Sequence, residues 1–305
     1  MNDKKKIIVG ISCGDINGIG IEIIIKAFLN SDLFSFCTPI LYIPQTVINQ
    51  YKKLYSEFHD FNYHVIKNPE HASSSQINVV KFSDATVSIT PGKESKIGAQ
   101  VAVNSLELAI KDLKEKKTNI LLTLPVNKQN ISTIKNDFIG HTEHLEESFD
   151  SKDSLMLLCN ENLRIATVTN HMPIAHVSTA ITKKLIEKKI KILLKTLKID
   201  FLISKPKIAV LGLNPHAGDN GLIGKEDLEI IKPIIEGFFN DGNLVYGPYA
   251  SDGFFGTGNY KNFDAVLGIY HDQSLIPFKL MSFGRGVNYT AGLPIIRVSP
   301  DHGVG

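Results

Sequence analysis

Residues 268–302 gather His271, Asp272, Lys279, Arg285, Asn288 and Arg297 among glycines and prolines, directly after the apolar run at 265–267. Imidazole, carboxylate, ammonium, guanidinium and amide groups in one turn-rich stretch could bind a metal together with an anionic, hydroxylated small molecule. The alternative is a solvated loop. Three histidines share a setting: His171 follows RIATVTN, His216 follows IAVLGLNP and His271 follows AVLGIY. Each comes just after a strand-like run, so parallel strands would present all three on one rim. Three neutral imidazoles suit zinc, cobalt or nickel, with positions left open for a substrate oxygen. Their wide separation makes no local metal motif, and three unrelated loop histidines are the competing reading.

Three further segments have the composition of ligand loops. GDINGIGIE (residues 14–22) reads as a glycine-rich turn entering a helix, where Gly14 and Gly18 permit close backbone approach and the helix start favours an anion. It lacks the third glycine of the dinucleotide fingerprint, so a tight structural turn is the better explanation of this segment taken alone. NPHAGDNGLIGKED (residues 214–227) sets His216 beside three glycines and an acidic helix start. GHTEHLEE (residues 140–147) offers His141 and Thr142 at a helix start, with Thr142 and Glu143 resembling capping chemistry.

The elements that must hold these groups alternate. Strand-like runs occur at 6–12, 40–43, 78–80, 119–124, 163–170, 208–213 and 265–270, and helical spacing at 20–30, 97–116, 181–197 and 225–239. Runs that are apolar throughout are those of strands covered on both faces, so an α/β architecture with mostly parallel sheets is expected. Ligand groups then belong beyond the carboxyl ends of the strands.

Composition narrows the class. The 305 residues include 33 basic and 31 acidic side chains for a net charge of +2, which gives no electrostatic case for nucleic acid. The lysines at 4–6 and 183–195 read as a solvated terminus and a solvated helix face. Cys13, Cys37 and Cys159 have no CxxC spacing, which predicts unpaired thiols and a cytoplasmic protein. No apolar run is long enough to span a membrane, and no signal peptide is expected.

In order, GDINGIGIE, TLPVNK (residues 123–128), GHTEHLEE, TNHMPIAHV, NPHAGDNGLIGKED, YHDQSLIPFK and FGRGVNYTAGLPIIRVSPDHG resemble the signature blocks of the 4-hydroxythreonine-4-phosphate dehydrogenase (PdxA) family of pyridoxal 5'-phosphate biosynthesis, over residues 14–303. The resemblance implies an isocitrate/isopropylmalate dehydrogenase-like fold of two α/β domains flanking a cleft. Residues 1–135 with 286–305 would form the cofactor side, and 136–285 the metal and dimerisation side. It also implies a homodimer sharing residues across its interface. Relatives continue past the last block, so a further C-terminal segment completing the first domain is an expectation for the family.

Carried over by motif, the family's metal ligands fall on His171, His216 and His271. Zinc is the first expectation, with cobalt, nickel or magnesium as alternatives. The family's substrate contacts fall on His141, Thr142, Lys279, Asn288 and Arg297, and an acidic active-site residue on Asp252. The implied reaction is NAD-dependent (or NADP-dependent) oxidation of the C3 hydroxyl of 4-phosphooxy-L-threonine, followed by decarboxylation to 3-amino-2-oxopropyl phosphate. Lys279 could relay the hydroxyl proton, and Asp272 is read as orienting His271 in preference to acting as base. Arg285 and Arg297 could grip carboxylate or phosphate. Gly14, Asp15 and Gly18 are candidates for cofactor contact.

The chain departs from the family pattern at Ile16, Asn17 and Ile21, where Pro, Ala and Pro are usual, and at Ser274, where glycine is usual. A paralogous dehydrogenase of threonate or erythronate 4-phosphate, and an inactive metal- or phosphate-binding relative, are the alternative readings.

Overall fold

The computed structural model describes residues 6–29, 32–82, 87–151 and 153–305. Lys4 and Lys5 of the basic terminus, and Asn30 at the end of the first expected helix, lie outside the described residues. The chain divides into two compact units, Met1–Asp150 with Pro294–Gly305, and Ser151–Leu293.

In chain order the first unit contributes β1 (Ile7–Ser12), β2 (Cys37–Tyr42), β3 (Tyr63–Ile66), β4 (Ile77–Val80) and β5 (Ile120–Thr123). The second contributes β6 (Leu155–Cys159), β7 (Arg164–Thr167), β8 (Lys207–Leu211), β9 (Leu244–Tyr249), β10 (Ala265–Gly268) and β11 (Val287–Ala291). The chain then returns to the first unit as β12 (Ile296–Pro300).

In the first unit the strand order is β3-β4-β2-β1-β5-β12, and all the pairs are parallel. In the second it is β11-β6-β7-β10-β8-β9. There β11–β6 and β6–β7 are antiparallel and the remaining pairs parallel.

The division differs from the one the motifs suggest. The helix His141–Ser148 stays with the first unit, because its His144 Nε2 lies 2.9 Å from Glu107 on the long helix Lys96–Lys114. Strand β11 stays with the second, because it is in register with β6 from Val287↔Cys159 to Ala291↔Leu155.

The core of the first unit explains three departures from the family pattern. Ile16 and Ile21 are fully buried in a cluster with Ile11, Ile25, Leu41 and Phe58, so the two positions that usually hold proline extend the core. Asn17 is buried and used at both ends of its amide. Its Oδ1 accepts from Thr90 N (2.8 Å), and its Nδ2 donates to Lys93 O (2.9 Å) and Ser95 Oγ (3.1 Å). Ser95 in turn caps the helix Lys96–Lys114 by accepting from Gly98 N. One side chain thus joins the 14–22 turn to the start of the longest helix.

Asn17→Ala should therefore remove the three hydrogen bonds to Thr90, Lys93 and Ser95 and cost about 2–3 kcal/mol, at roughly 1 kcal/mol per hydrogen bond. Urea unfolding should show a lower midpoint at an unchanged slope, and an unaltered midpoint would refute this account.

Candidate functional site

Strands β7, β10 and β8 are adjacent and parallel, and His171, His271 and His216 follow their carboxyl ends. Beyond the regular ladder, Val168 N donates to Gly268 O (2.9 Å) and Thr169 N to Ile269 O (3.0 Å). These bonds carry the β7 and β10 chains side by side up to His171 and His271, whose ring centroids lie 5.4 Å apart. Both rings line a cavity of about 430 Å³ together with Asn170, Tyr270 and Asp272. The Asp272 carboxylate lies 2.7 Å from His271 Nδ1, within hydrogen-bonding distance. With the proton held on Nδ1, Nε2 keeps its lone pair for a ligand.

His271 opens the helix His271–Ser282, and Gln273 in its first turn ties the neighbouring strand ends together. Its Oε1 accepts from Ile269 N (2.6 Å), and its Nε2 donates to Gly212 O (2.6 Å) and Ser251 Oγ (2.7 Å). Ser274 is fully buried beneath the same turn, and its hydroxyl donates to Ala166 O (3.3 Å). It fits because Gly268, at the end of β10, has no side chain: a Cβ there would fall on the Ser274 hydroxyl.

His216 takes a different path. From His216 through Gly221 every residue has positive φ, including His216 (55°), Ala217 (51°), Asp219 (42°) and Asn220 (52°). A left-handed backbone costs roughly 1–2 kcal/mol for each residue bearing a Cβ, so this coil must be held from outside. The holder is Asp227, which is 1% exposed. Its carboxylate accepts from Leu213 N (2.7 Å), Asn214 N (3.0 Å) and Asn214 Nδ2 (2.9 Å). The coil leaves His216 exposed. Among the described residues, no three His, Cys, Asp or Glu side chains of one chain gather closely enough to hold a metal ion. The paired His171 and His271 suit two positions of a divalent metal, and the chain does not bring the third expected ligand to them.

Asp252 is exposed in the first turn of the helix Ser251–Gly256. Lys279 is exposed about two turns beyond His271, roughly 12 Å along the helix axis. Asn288 lies on β11, and its Oδ1 is buried with no hydrogen-bond partner among the described residues, an acceptor suited to a ligand N–H or O–H.

The first unit holds the anion-binding candidates. Arg297 on β12 is 4% exposed, and its Nε and Nη2 donate to Thr123 Oγ1 at 3.0 and 2.6 Å. Burial lowers its pKa to about 10, partly offset by Glu143, so it stays charged at neutral pH. His141 opens the helix His141–Ser148 and meets the Phe138 ring edge-on at 6.0 Å. Burial holds its imidazole well below the ordinary range, and the charges of Arg297, His144 and Lys128 lower it further. Gly140 precedes this helix and has no side-chain acceptor, so Thr142 sits inside the first turn and does not cap it.

The 14–22 turn is built from its own candidates. Gly14 has φ 64°, and a Cβ there would strike the Pro125 carbonyl. Asp15 Oδ1 accepts from Asn17 N (2.9 Å), and Gly18 N donates to Asp15 O (3.1 Å). Burial, together with Glu94, raises the Asp15 pKa.

Residue patterns did not single out Thr123, Gln273 or Asp227. All three act through hydrogen bonds to backbone or side chains distant in sequence. Only their places inside motif blocks marked them.

The fold is that of an α/β protein with mostly parallel strands, and relatives that it matches are named dehydrogenases. The crystal structure of 4-hydroxythreonine-4-phosphate dehydrogenase from Klebsiella pneumoniae matches with a TM-score of 0.87 at 30% identity, covering 100% of this chain and 92% of that one. The family model for pyridoxal phosphate biosynthetic protein PdxA matches residues 35–305, and the chain belongs to that family. The 4-hydroxythreonine-4-phosphate dehydrogenase of Bacteroides thetaiotaomicron is 42% identical over 302 residues, covering 99% of this chain and 82% of that protein. Its namesake from Sulfurihydrogenibium sp. is 40% identical over 297 residues, covering 97% and 90%.

The His141 environment sets a pH dependence. Between its depressed folded pKa and the ordinary value of about 6.5, the unfolded chain binds a proton that the folded chain refuses. Its contribution to stability is therefore complete above that window and declines as pH falls through it. In an NMR titration, Arg297→Ala should move the His141 pKa upward by removing an opposing cation. A downward move would contradict the assignment.

Proposed function

We propose that the protein is an NAD- and divalent-metal-dependent dehydrogenase that oxidises the C3 hydroxyl of 4-phosphooxy-L-threonine. The resulting 2-amino-3-oxo acid then loses carbon dioxide to give 3-amino-2-oxopropyl phosphate. The observation that carries this reading is the His171–His271 pair 5.4 Å apart with Asp272 on the His271 Nδ1. The names of the relatives in the family supply the substrate.

His171, His216 and His271 would hold the metal, with zinc favoured over cobalt, nickel or magnesium. When bound, the metal supplies Lewis-acid stabilisation to the reacting oxygen during both oxidation and decarboxylation. Asp272 keeps the His271 proton on Nδ1. Arg297, charged and held by Thr123, binds an anionic group of the substrate, with His141 and Thr142 as neutral hydrogen-bonding partners. Asn288 Oδ1 accepts from a substrate N–H or O–H. Lys279 relays the hydroxyl proton towards solvent as the C3 hydrogen leaves as hydride to NAD.

We further propose a homodimer in which His216 of a second copy completes the histidine set. Supporting this, Ile276 (58% exposed), Leu280 (68%) and Phe283 (86%) recur at helical spacing along and just past the helix His271–Ser282. The unpaired thiols of Cys13, Cys37 and Cys159 support a cytoplasmic setting, and no described helix is long and apolar enough to cross a membrane.

The deciding assay is NAD reduction with 4-phosphooxy-L-threonine, with and without a chelator, alongside threonate 4-phosphate. Turnover should require metal and favour the amino substrate. His216→Ala should abolish metal-dependent turnover while leaving the fold intact, and Arg297→Ala should mainly raise KM. Unchanged turnover in His216→Ala would remove the histidine set from the mechanism.

A further inference from the structure

We infer that Asp227 is a positioning residue for His216: its buried carboxylate fixes the left-handed coil and thereby the direction in which the imidazole leaves the chain. The inference rests on the reading of His216 as a metal ligand.

The geometry is specific. The coil begins five residues after the last residue of β8, and the three donors that reach Asp227 all lie in the connecting residues Leu213 and Asn214. On its other side the coil closes on the same side chain: a Cβ on Gly218, which is buried, would lie 3.3 Å from Asp227 Oδ2. Ile223 N donates to Gly218 O (3.1 Å), and Asn214 Nδ2 also reaches Glu226 Oε2 (2.9 Å). Asp227 therefore grips the entry to the coil through its oxygens and packs against the coil's middle.

Four of the coil's six residues bear a Cβ in a conformation that suits glycine, so without the grip the chain has every reason to relax. A relaxed coil would keep the fold of β8 and its neighbours and still misdirect His216. Nothing else in the coil fixes that imidazole, which is exposed.

The test uses the full chain with Asp227→Asn, which keeps the size of the side chain but sets an amide N–H against donors. In metal-free protein, hydrogen–deuterium exchange over residues 212–223 should quicken at least tenfold, with the strands of the first unit unchanged. Cobalt(II) affinity by equilibrium dialysis should fall on the order of 10- to 100-fold, as for supporting groups around metal ligands. Adding Ala217→Gly, which suits its positive φ, should recover part of that affinity, whereas a merely structural role for Asp227 predicts no recovery.

Exchange and cobalt affinity both within twofold of the wild type in Asp227→Asn would overturn the inference, as would the absence of rescue by Ala217→Gly. If Asp227→Asn does not fold, Asn214→Ala removes one donor while leaving the carboxylate, and the same readouts decide. His216→Ala separates the two readings: unchanged cobalt affinity there would defeat the metal-ligand assignment, while the exchange result would still report on what Asp227 does to the coil.

Discussion

A parallel strand that ends at a ligand-binding rim leaves backbone donors and acceptors with no ladder to satisfy them, and in the second unit the amide of Gln273 resolves this. It takes the Ile269 N–H at one end and gives hydrogens to Gly212 O and Ser251 Oγ at the other. The end of β10, the exit from β8 and the entry to the helix bearing Asp252 are therefore set by one planar group with little freedom. The His171–His271 pairing and the start of the His216 coil both follow from strand ends that this amide joins or borders. A half-buried polar group satisfied at both ends favours one arrangement, because any other gives up several of its hydrogen bonds at once.

The first unit uses charge where the second uses geometry. Arg297 is buried on β12 and held by Thr123 at the end of β5, so a cation stands in a desolvated setting where an anion would find it strong. His141 close by is kept neutral by that burial and charge together. A neutral imidazole beside a fixed guanidinium can offer either a donor or an acceptor, which suits an anion whose protonation state varies.

The sequence made the buried parallel strands readable because covered strands are apolar throughout, and β1, β5, β7, β8 and β10 fall within a few residues of the expected runs. The placing of three histidines after adjacent strand ends was also legible. The helix at 271–282 was not, since Pro277 interrupts it and its outward face carries Ile276 and Leu280, which blurs the apolar period. Strands β11 and β12 were masked by the polar side chains they carry, Asn288 and Arg297. The left-handed coil was beyond reach of pattern: four of its six residues are not glycine, and its cause, Asp227, lies after it in the chain. Among the described residues of one chain, the three histidines do not form a group that could hold a metal ion, although their shared setting makes convergence the natural inference.

Ser274 and Gly268 carry a consequence for how such a chain can diverge. The serine hydroxyl occupies the place that any side chain at 268 would need, so the two positions are bound by a rule of order. A lineage with glycine at both sites can acquire serine at 274 freely. Having done so, it can replace the glycine at 268 only by turning the serine hydroxyl away from Ala166 O or giving the serine up. An innocuous exchange at one position thus acts as a partial ratchet, making a step costlier at another that looks unrelated in the linear chain.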